Sequence, residues 1–320
     1  MILHLPDSLL FRPALDRFGR PLPEFDWHRW ENHNSTLVGL GLLAALYLYA
    51  IGPYRRRAAP EAKLSPWQPV SFFAGLVATF FALNGPIHDL SDYYLFSVHM
   101  VQHLILTQLM PPLLLLGTPA FALRPLVRLR WVQAVARVLG RPVTAFCIYS
   151  LSFAGWHLQP AYDLMMRNHN VHIVTHLQFM VTAVIMWWPV LSPLPEFPPM
   201  SYGGRMIYLF LVGIPMMFVA ALITLADVVL YPWYSASPRV WGLSPLDDQR
   251  LGGLLMWVPG GLFYWVIMSF VFFAWVRRER EADEAEAAVR TGLRPGEGGP
   301  PVPGPGGRSP APRGPDRVAQ

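Results

Sequence analysis

The sequence predicts an all-α integral membrane protein: a bundle of seven transmembrane helices, with its N-terminus outside and its C-terminus in the cytoplasm. Three observations predict it. Of 320 residues, 53% are hydrophobic and only 14% charged, whereas a soluble domain carries about a quarter charged residues. Apolar runs of bilayer length recur along the chain. The basic residues gather in alternate connections between those runs. The formal net charge of +5 therefore reads as a topology signal, with a lipid bilayer and no nucleic acid as partner.

Taken in order, the runs cover 34–54, 69–87, 95–117, 142–158, 172–191, 206–227 and 252–276. The fourth is the shortest. Pro86, Pro111, Pro112, Pro189, Pro215 and Pro259 fall in or beside them. Neighbouring helices of a bundle satisfy the backbone groups that a proline frees, so these positions predict kinks and helix ends. Arg55, Arg56, Arg57 and Lys63 follow the first run, and Arg124, Arg128, Arg130, Arg137 and Arg141 follow the third. Arg205 precedes the sixth, while Arg277, Arg278 and Arg280 follow the last. The intervening connections hold Arg167, Arg239 and Arg250 alone. This asymmetry sets the sidedness.

Residues 1–33 form an extracytoplasmic segment. Its first 25 residues lack a basic start and are broken by prolines, so they do not read as a cleaved signal peptide. Residues 34–278 form the membrane domain. Residues 279–320 are expected to be a disordered cytoplasmic tail, because 291–320 holds eight prolines, eight glycines and no aromatic residue. The single cysteine, Cys147, permits neither an internal disulfide nor a paired-cysteine metal site.

On this topology every histidine falls in the outer half. HMVQH (His99, His103) opens the third span, and HIVTH (His172, His176) opens the fifth. His88 ends the second span and His157 the fourth, while His4, His28, His33 and His169 lie in outer segments. Spacing of i, i+4 stacks two rings on one helix face, about 6 Å apart along the axis, where both can bind one ion. Imidazole suits copper, zinc, iron and nickel. Met100, Met165, Met166 and Met180 lie near the pairs, and thioether donation would favour Cu(I). Two further readings fit the same residues: axial ligation of haem in a transmembrane electron carrier, and a hydrogen-bonded polar network between helices. Ionisable groups within spans mark function in either case.

The last outer connection, LYPWYSASPRVWGLSPLDDQRLGG, carries Tyr231, Trp233, Tyr234 and Trp241, which suit an interfacial aromatic belt. Asp227, Asp248 and Gln249 are candidates for orienting a ligating imidazole from behind, or for capping helices. Gly252 and Gly253 allow close helix contact.

HMVQHLILTQLMPPLLLLGTPA, the His-x-x-x-His of 172–176 with its WWPV at 187–190, and LSPLDDQRLGGLLMWVPGG together resemble the caa3-type CtaG family of cytochrome c oxidase assembly factors. The likeness covers roughly residues 30–277. It implies a non-enzymatic, multi-pass protein of the bacterial plasma membrane that supports maturation of haem-copper oxidase, with oxidase subunits as partners and copper as cargo. It also highlights His99, His103, His172, His176, Asp248 and Gln249. On that expectation copper is held by the two pairs with His88 and His157 at the rim, and a metal-independent scaffold is the rival.

Overall fold

A computed structural model describes residues 20–30 and 32–291. His4, Arg12, Arg17 and the stretch from 292 onward, with its expected disorder, lie outside the described residues. The described chain folds as helices with no strand: α1 (Asn34–Ala58), α2 (Trp67–Leu83), α3 (Gly85–Tyr94), α4 (Phe96–Gly117), α5 (Ala120–Val127), α6 (Arg130–Leu139), α7 (Pro142–His157), α8 (Gln159–Arg167), α9 (His169–Leu191), α10 (Tyr202–Thr224) and α11 (Pro245–Thr291). Five of these, α1, α4, α9, α10 and α11, are long and apolar enough to cross a membrane. Two bent pairs, α2 with α3 at 53° and α6 with α7 at 73°, bring the number to as many as seven. The short fourth run thus reaches bilayer length only together with α6.

Local chemistry explains the breaks. At the α2–α3 bend, Asn84 is extended and Gly85 has φ +70°, a left-handed conformation that costs glycine nothing. Pro86 follows as a ready-made first turn. The Asn84 side chain ties the corner, accepting from the His33 backbone N–H at 2.9 Å and donating to Phe80 O at 3.0 Å. Within α4, Pro111 has no N–H for the carbonyl of Thr107, and the helix widens to a π-helical turn over Ile105–Leu109. The freed Thr107 carbonyl accepts from the indole of Trp187 on α9 at 2.9 Å. The WWPV segment therefore makes good the hydrogen bond that the MPP segment lacks, as expected for prolines inside a bundle.

Close approach is set by small residues. A Cβ at Gly117 would strike the Phe72 backbone, one at Gly252 the Phe96 ring, and one at Gly253 Thr224. The main core joins α4, α7, α9, α10 and α11 through Met100, Tyr149, Phe179, Trp187, Val212 and Tyr264. By contrast, Tyr47 is the buried residue of the regular part of α1, Asn34–Tyr49. It stacks on Phe72 at 3.8 Å and donates to Gly117 O.

The described chain divides into two units between Phe272 and Phe273, and the site lies in the first. In the second, the helix continues to Thr291, past the boundary expected at 278. The reason is local: EREADEAEAAVR is made of strong helix formers, with Arg277–Glu281 and Arg290–Glu286 pairs at i, i+4.

Candidate metal centre

The helix carrying HMVQH is started from a distance. Asp248 of α11 accepts from the Phe96 and Ser97 backbone N–H groups at 2.7 and 3.1 Å, satisfying first-turn donors that no local side chain caps. The helix carrying HIVTH starts on its own signal: Asn168 accepts from Asn170 N and Val171 N. Four imidazoles are brought together by these two starts, all of them buried.

Within each pair the Nε2 atoms converge, at 2.9 Å for His99 and His103 and 3.2 Å for His172 and His176. The pairs face each other in matched order. His99 stacks on His172 at 5.5 Å between ring centroids, and His103 meets His176 edge-on at 5.4 Å. Ligand atoms of His99, His103 and His176 lie within 4.8 Å of one another, as do those of Asp92, His99 and His172. Two nitrogens on one tetrahedral ion, each at about 2.0 Å, stand roughly 3.3 Å apart, so the separations within the pairs fit a shared ion.

Second contacts decide which nitrogen each ring offers. The His99 Nδ1 faces Ser91 O at 3.2 Å and the Tyr234 hydroxyl at 3.0 Å. Tyr234 itself donates to Ser91 O at 2.8 Å, leaving its lone pairs for the His99 Nδ1–H and for Tyr162 at 3.0 Å. Burial holds the Tyr234 hydroxyl well above its ordinary pKa, so it stays a neutral donor. The His172 Nδ1 faces the Asp92 carboxylate at 3.5 Å. His99 thereby keeps its proton on Nδ1 and presents a bare Nε2 inward, and the Asp92 carboxylate favours the same tautomer of His172. His103 Nδ1 is buried with no hydrogen-bond partner among the described residues, so that nitrogen is able to take up the proton when Nε2 ligates.

The rim histidines differ. His88 is engaged on both nitrogens: Nδ1 accepts from Gln102 at 2.9 Å, and Nε2 faces Asp92 at 3.3 Å. Ligation would break one of these contacts, so the structure makes His88 a support of Asp92. His157 donates from Nδ1 to Phe153 O at 2.7 Å. Its buried Nε2 lacks a partner among the described residues, and its ring lies 6.0 Å from that of His103. His33 packs 4.3 Å from His88 and 6.1 Å from His169, whereas His28 is exposed and bonded to Asp26.

Two of the residues expected to orient the imidazoles serve backbone instead. Asp248 caps α4. Gln249 accepts from Leu230 N and donates to Val228 O. The third, Asp227, is an exposed partner of the Arg250 side chain at 3.2 Å. None of the three has a hydrogen bond to a histidine among the described residues. Sequence reasoning missed Asp92 and Tyr234. The aromatic loop folds inward rather than forming a uniform belt: Tyr231 and Tyr234 are buried, Trp233 donates to Asp92 O at 2.8 Å, and only Trp241 of the four is exposed. Met100, Met165 and Met166 pack in the apolar core.

Comparison with known proteins bears on this geometry. The family described as cytochrome c oxidase caa3 assembly factor matches residues 45–278. An uncharacterized protein of Mycobacterium tuberculosis is 28% identical over 272 residues, covering 79% of this chain and 40% of its own length. One from Mycobacterium leprae is 27% identical over 281 residues, covering 79% of this chain and 42% of its own. The chain thus spans about two fifths of the curated relatives it matches. No solved structure matches.

Proposed function

The chain belongs to the caa3 assembly factor family of cytochrome c oxidase, and from that premise we propose that its buried histidines hold a copper ion on its way to a haem-copper oxidase. His99, His103 and His176 supply the nitrogens, with His172 beside them. One observation carries the reading: the Nε2 atoms converge within each of two His-x-x-x-His turns, and ligand atoms of His99, His103 and His176, drawn from both helices, lie within 4.8 Å of one another.

Each residue has a stated part. Asp92 and the Ser91–Tyr234 pair hold the Nδ1 protons of His172 and His99, and so aim lone pairs at the ion. His103 adds its Nε2, with the otherwise unpartnered Nδ1 free to carry the proton, and His157 adds an Nε2 that has no other partner among the described residues. Neutral imidazoles exchange more readily than thiolates, which suits a carrier that must release its cargo. The reading places the chain in the bacterial plasma membrane with seven spans, each bent pair counted as one, and with the histidine end outside. The loops rich in arginine set that orientation.

The test is metal analysis of the purified full-length protein after loading with copper. Wild type is expected to retain copper, and the variant with His99, His103, His172 and His176 all changed to alanine to retain none. Equal retention by a folded quadruple variant overturns the reading. Intact oxidase maturation in that variant would instead support the metal-independent scaffold.

A further inference from the structure

A lateral cavity of about 650 Å³ lies between α1, α2 and α9. Its shape follows from how α1 is held. At one end the His33 N–H is tied to Asn84 and the His33 ring packs on His88; at the other, Tyr47 is pinned by Phe72 and Gly117. Between these anchors the helix leaves a gap at Gly39, where an added Cβ would meet no atom within 4 Å.

The cavity has two unlike ends. One is polar, closed by Asp92, His88, His172 and His176. The other runs along Leu40, Leu114, Val184 and Ile185 and is wholly apolar. From His172 to Ile185 is roughly 20 Å along a helix axis. Leu43, Leu177 and Val181 line it and are also exposed on the outer face, so the bay opens sideways, towards lipid. Among the described residues no lysine or arginine lines it. A phosphate head or a porphyrin propionate would therefore sit beside the Asp92 carboxylate with no cation to balance it.

We propose that this bay binds a single-tailed, uncharged amphiphile with a flat hydrogen-bonding head, the chemistry of a prenylated quinone or quinol. His169, which also lines the bay, offers a ring N–H to a head oxygen in the quinone form, and hydroxyls donate to Asp92 in the quinol form. The flat ring stacks against imidazole faces. The tail follows the apolar channel out to the bilayer. A partner helix, about 10 Å across, would have to part α1 from α9 to enter, whereas a chain-like tail does not. This inference stands on the cavity and not on the copper reading, although the head would lie next to His172 and His176.

The experiment titrates decylubiquinone calorimetrically into full-length protein in maltoside micelles. Wild type is expected to bind one equivalent saturably. Gly39→Trp, which adds an indole at a position lining the bay, is expected to weaken binding at least tenfold. Gly41→Trp lies on the same helix, equally free of neighbours but outside the bay, and is expected to stay within twofold of wild type. No saturable binding by wild type overturns the proposal, as does a Gly39→Trp protein that binds normally or a Gly41→Trp protein that loses as much. One phospholipid per chain extracted from wild type but not from Gly39→Trp, with no decylubiquinone binding, also overturns it. Copper is measured on the same preparations: binding of decylubiquinone without copper overturns only the metal reading, and binding of copper without decylubiquinone only this one.

Discussion

HMVQH and HIVTH share spacing, burial and the convergence of their Nε2 atoms, yet they are supported in different ways. His99 leans on neutral partners, a backbone carbonyl and a tyrosine hydroxyl, and is sealed in the core. His172 leans on a carboxylate and, with His176, forms the wall of a lateral bay. The first pair is a fixed anvil: its helix is capped from α11 and stitched to α9 through Trp187. The second is the side that a ligand or partner can reach. One motif therefore yields a rigid half and an accessible half, and the surroundings make the distinction.

The largest effect expected to sharpen that contrast is removal of the rigid half. His99→Ala with His103→Ala should abolish copper retention, while His172→Ala alone should leave measurable binding through the remaining three rings; equilibrium competition with a copper chelator checks both. If His172→Ala proves as severe as the double change, the halves are not unequal. Next in size is Asp92→Asn, which keeps the shape but removes the carboxylate behind His172 and should cost about 10- to 100-fold in copper affinity. Tyr234→Phe should cost less, because Ser91 O still holds the His99 Nδ1 proton; a loss as large as that of Asp92→Asn would contradict the assignment. Acidification gives the smallest graded effect. Protons compete for imidazole nitrogen, so occupancy should fall on acidification, measured by copper content after dialysis across a pH series, and a flat profile would speak against histidine ligation.

Much of this was legible in the sequence because its rules are local. The apolar runs gave the helices to within a few residues, and i, i+4 spacing gave the faces on which histidines meet. What was hidden depends on partners distant in the chain. Asp92 looks like an ordinary loop acid, and only the fold sets it between His88 and His172. Asp248 and Gln249 stand out in the chain, yet they bond backbone from α4 and from the preceding loop. Tyr234 sits in an aromatic segment whose composition suits an interface, and only the turn at Pro232 carries it inward. The end of α11 was misplaced because a charged run beyond an apolar span reads as tail, when its glutamates, alanines and arginines favour continued helix.

The cap on α4 has a consequence for how the chain matures in the membrane. Residues 96 and 248 are separated by 152 positions, so during synthesis the first turn of the HMVQH helix waits for this carboxylate until residue 248 has left the ribosome. The placing of the first histidine pair is thereby tied to α11: a product truncated before the DDQ segment lacks the bond that sets that pair in place.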